Sequence, residues 1–210
     1  MGRTLDIAVF GSGRGSNFQA ILDAIQQGRI PGARICLVVS NNARAGILEI
    51  ARSSGVPAEH LSEKAFASET AFVDYLLATL RKHSANFIVL AGYMKRLHQR
   101  IIEAYRNRII NIHPALLPRY GGQGMYGMHV HEAVIAARER FSGATVHVVD
   151  EQYDHGRIIL QRRIPVSPDD SSESLAAKVL KIEHELYPEA IRMFAEGNVE
   201  ITDNDVAVHY

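Results

Sequence analysis

The sequence predicts an α/β fold: a mostly parallel, open twisted sheet with helices on both faces and an antiparallel hairpin at the C-terminal side. Short apolar runs typical of buried strands alternate with amphipathic helical stretches through the first half of the chain. A glycine-rich turn joins the first run to the first helix, and two alternating segments typical of a hairpin follow residue 143. With 210 residues and no break in composition, the chain is expected to form one domain, 1–210.

The first half of the chain is predicted to alternate between strand and helix. Ile7–Phe10 is an apolar run, and a helix with apolar residues at helical spacing follows it and ends near Gly28. The further predicted elements are a strand over 34–39, a short helix over 45–54, an extended piece from Val56, an amphipathic helix over 70–82, a strand over 87–91 and a short helix over 98–105. This alternation favours parallel strands joined by right-handed crossovers.

The second half is predicted to contain a hairpin and a long helix. A helix begins at His129 and runs through Arg140, and the alternating residues of 144–149 and 158–166 indicate two antiparallel strands. The long helix spans 172–196, is capped by Ser172, and is kinked or divided at Pro188; residues 199–210 form one or two short extended pieces.

Composition limits the class of protein. Hydrophobic residues make up 47% and charged residues 22%, and 23 basic side chains balance 23 acidic ones, so no basic field favours nucleic acid. No secretory signal opens the chain, and no apolar run approaches the ~20 residues that span a bilayer. The single cysteine, Cys36, lies within an apolar run and is expected to be a buried core thiol. A cytoplasmic enzyme or binding protein without a membrane or nucleic-acid partner fits these bounds.

The glycine-rich turn after the first strand is a candidate phosphate site. Its glycines let the backbone approach an anion, and the helix that follows offers free amides and a positive dipole end. Ser16 stands where the dinucleotide fingerprint needs a glycine, and the nucleotide-triphosphate loop is absent. A small phosphate monoester fits better, with a tight turn that binds nothing as the alternative. The candidate binding residues are Gly13, Arg14, Gly15, Ser16 and Asn17.

The run from Arg108 to Pro114 is the segment around which the prediction is organised. Side chains of a strand alternate between faces, so Asn111 and His113 are expected on the same side. Pro114 ends the strand, which places this polar pair at its carboxyl end, where open α/β sheets bind ligands. Taken alone, the pair also fits a polar strand tip that meets solvent.

Two later segments are also candidates for function. Residues 115–128 contain four glycines and two prolines, which indicates a long irregular loop at the active edge. His129 and His131 follow, but the spacing of a typical metal site is missing, so metal binding is disfavoured. Asp154 lies in a turn between the two hairpin strands. Taken alone, it also fits a residue that only forms the turn.

Together these segments resemble the folate-dependent formyltransferases. The segments that carry the resemblance are Gly13-Arg14-Gly15-Ser16-Asn17, Leu90-Ala91-Gly92-Tyr93-Met94, Asn111-Ile112-His113-Pro114-Ala115-Leu116-Leu117-Pro118 and the turn from Asp150 to Gly156. They occur in family order and cover nearly the whole chain. The glycine loop points to the member that formylates glycinamide ribonucleotide in purine synthesis, with 10-formyltetrahydrofolate as the formyl donor.

The resemblance also implies roles for individual residues. The catalytic residues correspond to Asn111, His113 and Asp154. The ribonucleotide side corresponds to the residues of the glycine loop and to Glu183. The folate side corresponds to Met94, Lys95, Arg96, Leu97, Val149, Glu151 and Tyr153. Two features depart from the family pattern: Lys95 replaces a common arginine and loses bidentate geometry, and the stretch from Gly121 to Tyr126 is longer than in compact bacterial members.

The implied reaction is attack of an amine on a formyl carbon, through a tetrahedral intermediate. Asn111 donates an amide N–H to the oxyanion, protonated His113 adds a charged donor, and Asp154 favours the protonated imidazole and orders a water for proton transfer. No metal is required. The expected partners are small molecules, and the protein is expected to be a monomer or a homodimer.

Alternative functions remain at this point. Other formyl-folate enzymes act on methionyl-tRNA or nucleotide sugars, or hydrolyse formyltetrahydrofolate. The extra domains typical of the tRNA enzyme and the hydrolase have no room in this sequence, and the neutral charge does not favour tRNA. A non-catalytic sensor of phosphate ligands belongs to a different class, since it would use the glycine loop without needing Asn111, His113 and Asp154 to converge.

Overall fold

The computed structural model describes residues 4–202 and 206–209. The chain divides into two compact units, residues 1–110 and 111–210. The expectation of one domain over 1–210 stays a prediction.

The strands of the described chain form one large sheet and one small sheet. Their bounds are β1 (Leu5–Phe10), β2 (Ala33–Ser40), β3 (Ala58–His60), β4 (Phe87–Leu90), β5 (Ile109–His113), β6 (Phe141–Val148), β7 (Ile158–Pro165), β8 (Val199–Ile201) and β9 (Val206–Val208). The large sheet has the order β3-β2-β1-β4-β5-β6-β7 and is mostly parallel, and β8 and β9 form a separate antiparallel pair. The predicted fold class is confirmed.

The helices lie between the strands, as the alternating pattern predicts. Their bounds are α1 (Ser16–Gln26), α2 (Gly46–Ser53), α3 (Glu69–Lys82), α4 (Gln99–Ala104), α5 (Met128–Ala136) and α6 (Ser172–Ala195), with a single 3₁₀ turn at Glu63–Ala65. The predicted ranges in the first half agree with these bounds to within about two residues, which is the usual uncertainty of helix ends.

Unit one is built around strand β1, which is buried from Ile7 to Phe10. This strand pairs in parallel with β2 on one side and β4 on the other, so the strand order reverses beside it. In open α/β sheets such a reversal opens a crevice at the carboxyl ends of the strands, where ligands bind. Cys36 on β2 is buried, its thiol donates to the Ile7 carbonyl oxygen at 3.3 Å, and burial raises its pKa to about 11. The core thiol prediction is therefore confirmed.

Unit two contains the antiparallel hairpin of β6 and β7, which confirms the hairpin predicted over residues 144–149 and 158–166. All residues of β6 after Phe141 are buried, and α6 contacts both strands and α5. Gly143 permits the close pairing of the hairpin, because a Cβ there would lie 2.0 Å from the Arg162 carbonyl oxygen. The alternating sequence pattern therefore located a hairpin whose first strand is covered on both faces.

Three predictions in unit two are wrong in detail. Helix α5 ends at Ala136 rather than Arg140. The cap of α6 is Ser171 rather than Ser172, because the Ser171 hydroxyl accepts from the Ser174 amide and the Ser174 hydroxyl accepts from the Ser171 amide. Pro188 does not divide α6, which is continuous over its 24 residues, since packing of the buried face outweighs the one backbone hydrogen bond that a proline removes. A kink at Pro188, the other expected effect, stays a prediction.

The C-terminal tail forms the predicted short extended pieces, β8 and β9. Residues 203–205 and 210 of the predicted tail lie outside the described residues. Over the part of the chain that the structure describes, no helix combines the length and the apolar character needed to cross a membrane.

The stability of α6 is expected to depend on pH through Asp170, which precedes the helix. The Asp170 carboxylate accepts from Lys178 Nζ at 2.7 Å, from the Ser174 hydroxyl at 2.7 Å and from the Ser167 amide at 2.8 Å. These hydrogen bonds, with that from Lys178 the largest, lower the pKa of Asp170 from 3.8 to about 2. Because this folded-state pKa is depressed, the stabilisation is complete above pH 3.8 and is lost as pH falls towards 2.

We therefore expect Asp170→Asn to lower Tm near neutral pH and to match the wild type near pH 2. Thermal unfolding followed by circular dichroism between pH 2 and pH 7 measures this difference. Asp169→Asn is the matched control, since it removes the same charge from an exposed neighbour. A difference in Tm between wild type and Asp170→Asn that does not change with pH would contradict the assignment.

Candidate active site

In unit one, the glycine loop connects β1 to α1 at the carboxyl end of the strand. Gly15 precedes α1 with a left-handed φ of 87°, and a Cβ there would lie 2.8 Å from the Ile47 Cα. Both the backbone conformation and the close approach require glycine. As the cap residue of α1, Gly15 has no side chain, so the first turn of α1 lacks a side-chain cap.

A hydrogen-bond network that the sequence analysis missed holds this loop. The Ser12 hydroxyl donates to Asn41 Oδ1 at 2.5 Å and accepts from the Met94 amide at 2.8 Å. The Ser12 carbonyl oxygen accepts from Asn42 Nδ2 at 3.3 Å. Ser12 therefore links the carboxyl ends of β1, β2 and β4. The polar residues that follow each of these apolar strands in the sequence are the signal by which the network could have been found.

The predicted residues after β4 differ in exposure. Met94 is 54% exposed, and Lys95 and Arg96 are also exposed, so all three are accessible to a ligand. The Leu97 side chain is buried and contributes to the core. The first three positions are therefore compatible with their predicted role on the folate side, whereas Leu97 contributes packing.

In unit two, the structure brings Asn111, His113 and Asp154 into one cluster. His113 Nδ1 lies 3.5 Å from Asp154 Oδ2. The other carboxylate oxygen, Asp154 Oδ1, lies 3.5 Å from Nε2 of His147, and Asn111 Nδ2 lies 3.1 Å from the same His147 nitrogen. Asp154 thus contacts His113 directly, and a fourth residue, His147, joins Asn111 to Asp154.

His147 was not identified from the sequence, although it is the central residue of this cluster. It lies on β6 and is buried, and its Nδ1 lies 2.9 Å from the Val148 carbonyl oxygen. A carbonyl only accepts, so Nδ1 carries the proton and, in the neutral ring, Nε2 accepts from the Asn111 amide. A histidine inside the apolar run of residues 144–149 is the feature that could have marked it.

Burial and charge act in opposite directions on the titratable groups of the cluster. Burial lowers the pKa of His113, and this effect outweighs the opposing effects of the Asp154 charge and the hydrogen bond to Tyr120. Burial raises the pKa of Asp154, but its contacts with His147, His113 and the Gly122 amide together lower it. The Asp154 charge thus favours the protonated form of His113, as the sequence predicts, and burial opposes it with a larger effect.

Asp154 is held by its own turn and by the irregular loop over residues 115–128. Its backbone is left-handed, with a φ of 54°, which aspartate tolerates better than most residues. The Gly122 amide donates to Asp154 Oδ2 at 3.0 Å. A Cβ at Gly156 would lie 1.7 Å from the Val148 carbonyl oxygen, so only glycine closes this turn. Asp154 therefore both forms the turn and places its carboxylate beside His113 and His147.

The remaining predicted residues of unit two are distributed over this turn and α6. Val149 is half-buried, Glu151 is exposed, Tyr153 is 48% exposed, and Glu183 is buried on α6. His131 is buried, and its Nδ1 has no hydrogen-bond partner. Within residues 4–202 and 206–209, no three His, Cys, Asp or Glu side chains are grouped as metal ligands would be.

The formyl transferase family model matches residues 5–191 of this chain. The chain belongs to the formyl transferase family. The match includes the glycine loop, the Asn111 to Pro114 segment and the turn that carries Asp154. It ends within α6 and leaves the terminal β8–β9 pair outside.

Relatives with assigned names are similar over most of the chain. A phosphoribosylglycinamide formyltransferase of Haemophilus influenzae is 38% identical over 94% of this chain and 91% of its own length. A chloroplastic protein of the same name from Vigna unguiculata is 43% identical over 94% of this chain, and the chain spans 63% of the length of that protein. The crystal structure of glycinamide ribonucleotide transformylase 1 from Symbiobacterium toebii is 40% identical, with a TM-score of 0.92 over 100% of this chain and 96% of that one.

The close approach at Gly15 is testable by substitution. We expect Gly15→Ala to destabilise the protein by at least ~1 kcal/mol, since a left-handed backbone alone has that cost for a residue with a Cβ. Gly13→Ala is the matched control, because a Cβ at Gly13 meets no atom within 4 Å. Urea unfolding measures both free energies. Equal stability of the two variants would show that contact with Ile47 does not constrain the loop.

Proposed function

We propose that this protein is a phosphoribosylglycinamide formyltransferase. It transfers the formyl group of 10-formyltetrahydrofolate to the amine of glycinamide ribonucleotide, in de novo purine biosynthesis and one-carbon metabolism. The observation that carries the proposal is the cluster of Asn111, His113, His147 and Asp154 in a chain of the formyl transferase family. The names of the relatives from Haemophilus influenzae and Vigna unguiculata support the choice of acceptor.

Direct transfer between the two substrates suits the side chains that are present. The amine nitrogen attacks the formyl carbon and forms a C–N bond, and the carbonyl oxygen becomes an oxyanion. A protein nucleophile is not required. Cys36 is unsuited to that role, because it is buried and its pKa is raised to about 11.

Asn111 is the proposed oxyanion donor. One of its two amide hydrogens is directed to His147 Nε2, which leaves the second for the developing oxyanion. His147 therefore fixes which end of the Asn111 amide carries the donors. One such pre-positioned donor stabilises the transition state by ~3 to 4 kcal/mol.

His113 and Asp154 are the proposed proton-transfer pair. The neutral His113 ring donates from Nε2 to the Tyr120 carbonyl oxygen at 2.7 Å, so Nδ1 is free to accept a proton. When the amine attacks, its proton passes to Nδ1, and the ionised Asp154 at 3.5 Å stabilises the imidazolium. The same proton then passes to the folate nitrogen as its bond to the formyl carbon breaks. Proton transfer of this kind contributes ~10²- to 10⁴-fold in rate.

The glycine loop of unit one is the proposed site for the ribonucleotide phosphate. The first-turn amides of α1 and the side chains of Ser16 and Asn17 supply donors, and the helix dipole favours an anion. Gly13, Arg14 and Glu183 are further proposed contacts of the ribonucleotide. The proposed folate contacts remain Met94, Lys95, Arg96, Leu97, Val149, Glu151 and Tyr153.

The proposal includes a setting for the enzyme. We expect a cytoplasmic protein, monomeric or homodimeric, that requires formyl-folate as co-substrate and no metal, and that binds neither nucleic acid nor membrane. The word "chloroplastic" belongs to the name of the Vigna unguiculata relative and is not carried over to this chain.

The decisive experiment is a formyl-transfer assay with 10-formyltetrahydrofolate, with and without glycinamide ribonucleotide. We expect release of deformylated folate, followed by absorbance, only when the ribonucleotide is present. His113→Ala should lower kcat by at least about 100-fold, because it removes the proton acceptor. His155→Ala is the matched control, since this neighbour of Asp154 is exposed and pairs with Asp150 instead.

Other results of this assay would replace the proposal. Folate release without any acceptor would identify a hydrolase. Release that depends on an amino-sugar nucleotide or on methionyl-tRNA would identify another transferase of the family. A phosphate sensor would be favoured if the wild type showed no turnover and His113→Ala bound the ribonucleotide as tightly as the wild type.

The phosphate loop is tested by Ser16→Ala and Asn17→Ala in the same assay. A hydrogen bond to a charged group contributes ~1.5 to 3 kcal/mol, so each substitution should raise KM for glycinamide ribonucleotide by about tenfold or more. The KM for the formyl donor should change little. A KM for the ribonucleotide equal to that of the wild type in both variants would remove the loop from the proposed site.

A further inference from the structure

The segment from Tyr120 to Gly122 contacts both members of the proposed proton-transfer pair through its backbone. The Tyr120 carbonyl oxygen accepts from His113 Nε2 at 2.7 Å. Two residues later, the Gly122 amide donates to Asp154 Oδ2 at 3.0 Å. A short piece of backbone therefore supplies an acceptor to the imidazole and a donor to the carboxylate that faces it.

This segment adopts a conformation that local preferences do not favour. Tyr120 has a left-handed φ of 57°, which a bulky residue rarely adopts. Gly122 has a φ of 97°, and a Cβ at Gly121 would lie 2.5 Å from Leu117 Cδ2 and 3.1 Å from Asp154 Cβ. An unfavourable backbone conformation persists only where surrounding contacts hold it, and for Tyr120 the side chain makes such contacts.

The Tyr120 side chain is anchored by Glu139, which follows α5. The Tyr120 hydroxyl donates to Glu139 Oε1 at 2.8 Å. The Arg119 guanidinium donates to both Glu139 oxygens, at 3.1 Å to Oε2, and lies over the Tyr120 ring with its Cζ 5.4 Å from the ring centroid. The hydrogen bonds from Tyr120 and Arg119 lower the pKa of Glu139, which keeps this acceptor ionised.

The Tyr120 carbonyl determines which His113 nitrogen carries the proton. With that carbonyl in place, Nε2 is protonated and Nδ1 is free, facing Asp154. Without it, the neutral ring gains more from the other tautomer, in which Nδ1–H donates to the Asp154 carboxylate. That second tautomer has no lone pair on Nδ1 and therefore cannot take the amine proton there.

We propose that Tyr120, anchored by Glu139, is a positioning residue that holds His113 in the tautomer able to accept a proton at Nδ1. The inference rests on the proposed function, because it assigns the residue that prepares His113 for formyl transfer. Tyr120 itself acts only through His113. The sequence of the loop gives no indication of this role, since the contact is made by a backbone oxygen.

The kinetic test uses Tyr120→Phe and Glu139→Ala, which remove the anchor from either side. Both should lower kcat by about tenfold through misplacement of the acceptor, while KM for both substrates stays within about twofold of the wild type. Glu139→Gln should restore kcat, since its amide oxygen still accepts from the Tyr120 hydroxyl. Tyr105→Phe is the matched control, because it removes a hydroxyl that donates to the Ala85 carbonyl oxygen at 3.0 Å within unit one.

The spectroscopic test reads the tautomer directly. In protein labelled with ¹⁵N-histidine, the His113 ring signals, assigned by their loss in His113→Asn, should show a protonated Nε2 and a bare Nδ1 in the wild type. Tyr120→Phe should move these signals towards the Nδ1–H tautomer. Glu139→Gln should keep the wild-type pattern.

Each outcome decides the proposal. Unchanged kcat and unchanged His113 signals in Tyr120→Phe would overturn the positioning role, as would a kcat loss in Glu139→Gln equal to that in Glu139→Ala. If the wild type showed no formyl transfer, the proposed function would fall, and the His113 signals alone would then decide whether Tyr120 sets the tautomer. Should Glu139→Ala fail to fold, Tyr120→Phe and Glu139→Gln carry both tests.

Discussion

The Asp154 carboxylate, enclosed between two buried imidazoles, is the interaction on which the cluster in unit two depends. Each of its oxygens faces one histidine nitrogen at 3.5 Å, His113 on one side and His147 on the other. An isolated buried carboxylate would become protonated, since burial opposes the charged form. Here the contacts with His147, His113 and Gly122 outweigh burial and keep the pKa of Asp154 low.

Burial and charge also oppose each other at His113, but there the effect of burial on the pKa is the larger one. Its ring is 3% exposed, and burial lowers the pKa more than Asp154 raises it. In the proposed mechanism, a histidine in this state takes up a proton and does not supply one at the start. The carboxylate then holds the permanent charge, and the imidazole carries the transient one.

Unit one relies on backbone groups where unit two relies on titratable side chains. Its glycine loop offers amides that stay donors at any physiological pH, and Ser12 fixes the loop through neutral hydrogen bonds. Ligand binding by such a loop depends little on protonation. Within the candidate site, the titratable groups with shifted pKa values therefore lie in the cluster of unit two.

The sequence alone determined the order of strands and helices, because apolar periodicity is a local property. It also placed Asn111 and His113 on one side of a strand, through the two-residue period of that structure. The core position of Cys36 follows from the same pattern, since its neighbours in the run are apolar. Local rules were wrong elsewhere: they assigned the α6 cap to Ser172, next to the true cap Ser171, and they allowed a division at Pro188, where the helix is continuous.

Only the tertiary structure decided the roles of His147 and Tyr120. His147 and Asn111 are 36 residues apart in the chain, so their contact depends on which strands the fold places together. Tyr120 acts through a backbone oxygen, whose direction is set by a left-handed φ and by the distant anchor Glu139. The protonation of His113 was likewise out of reach, because burial decides it, and burial is a property of the folded chain rather than of any segment.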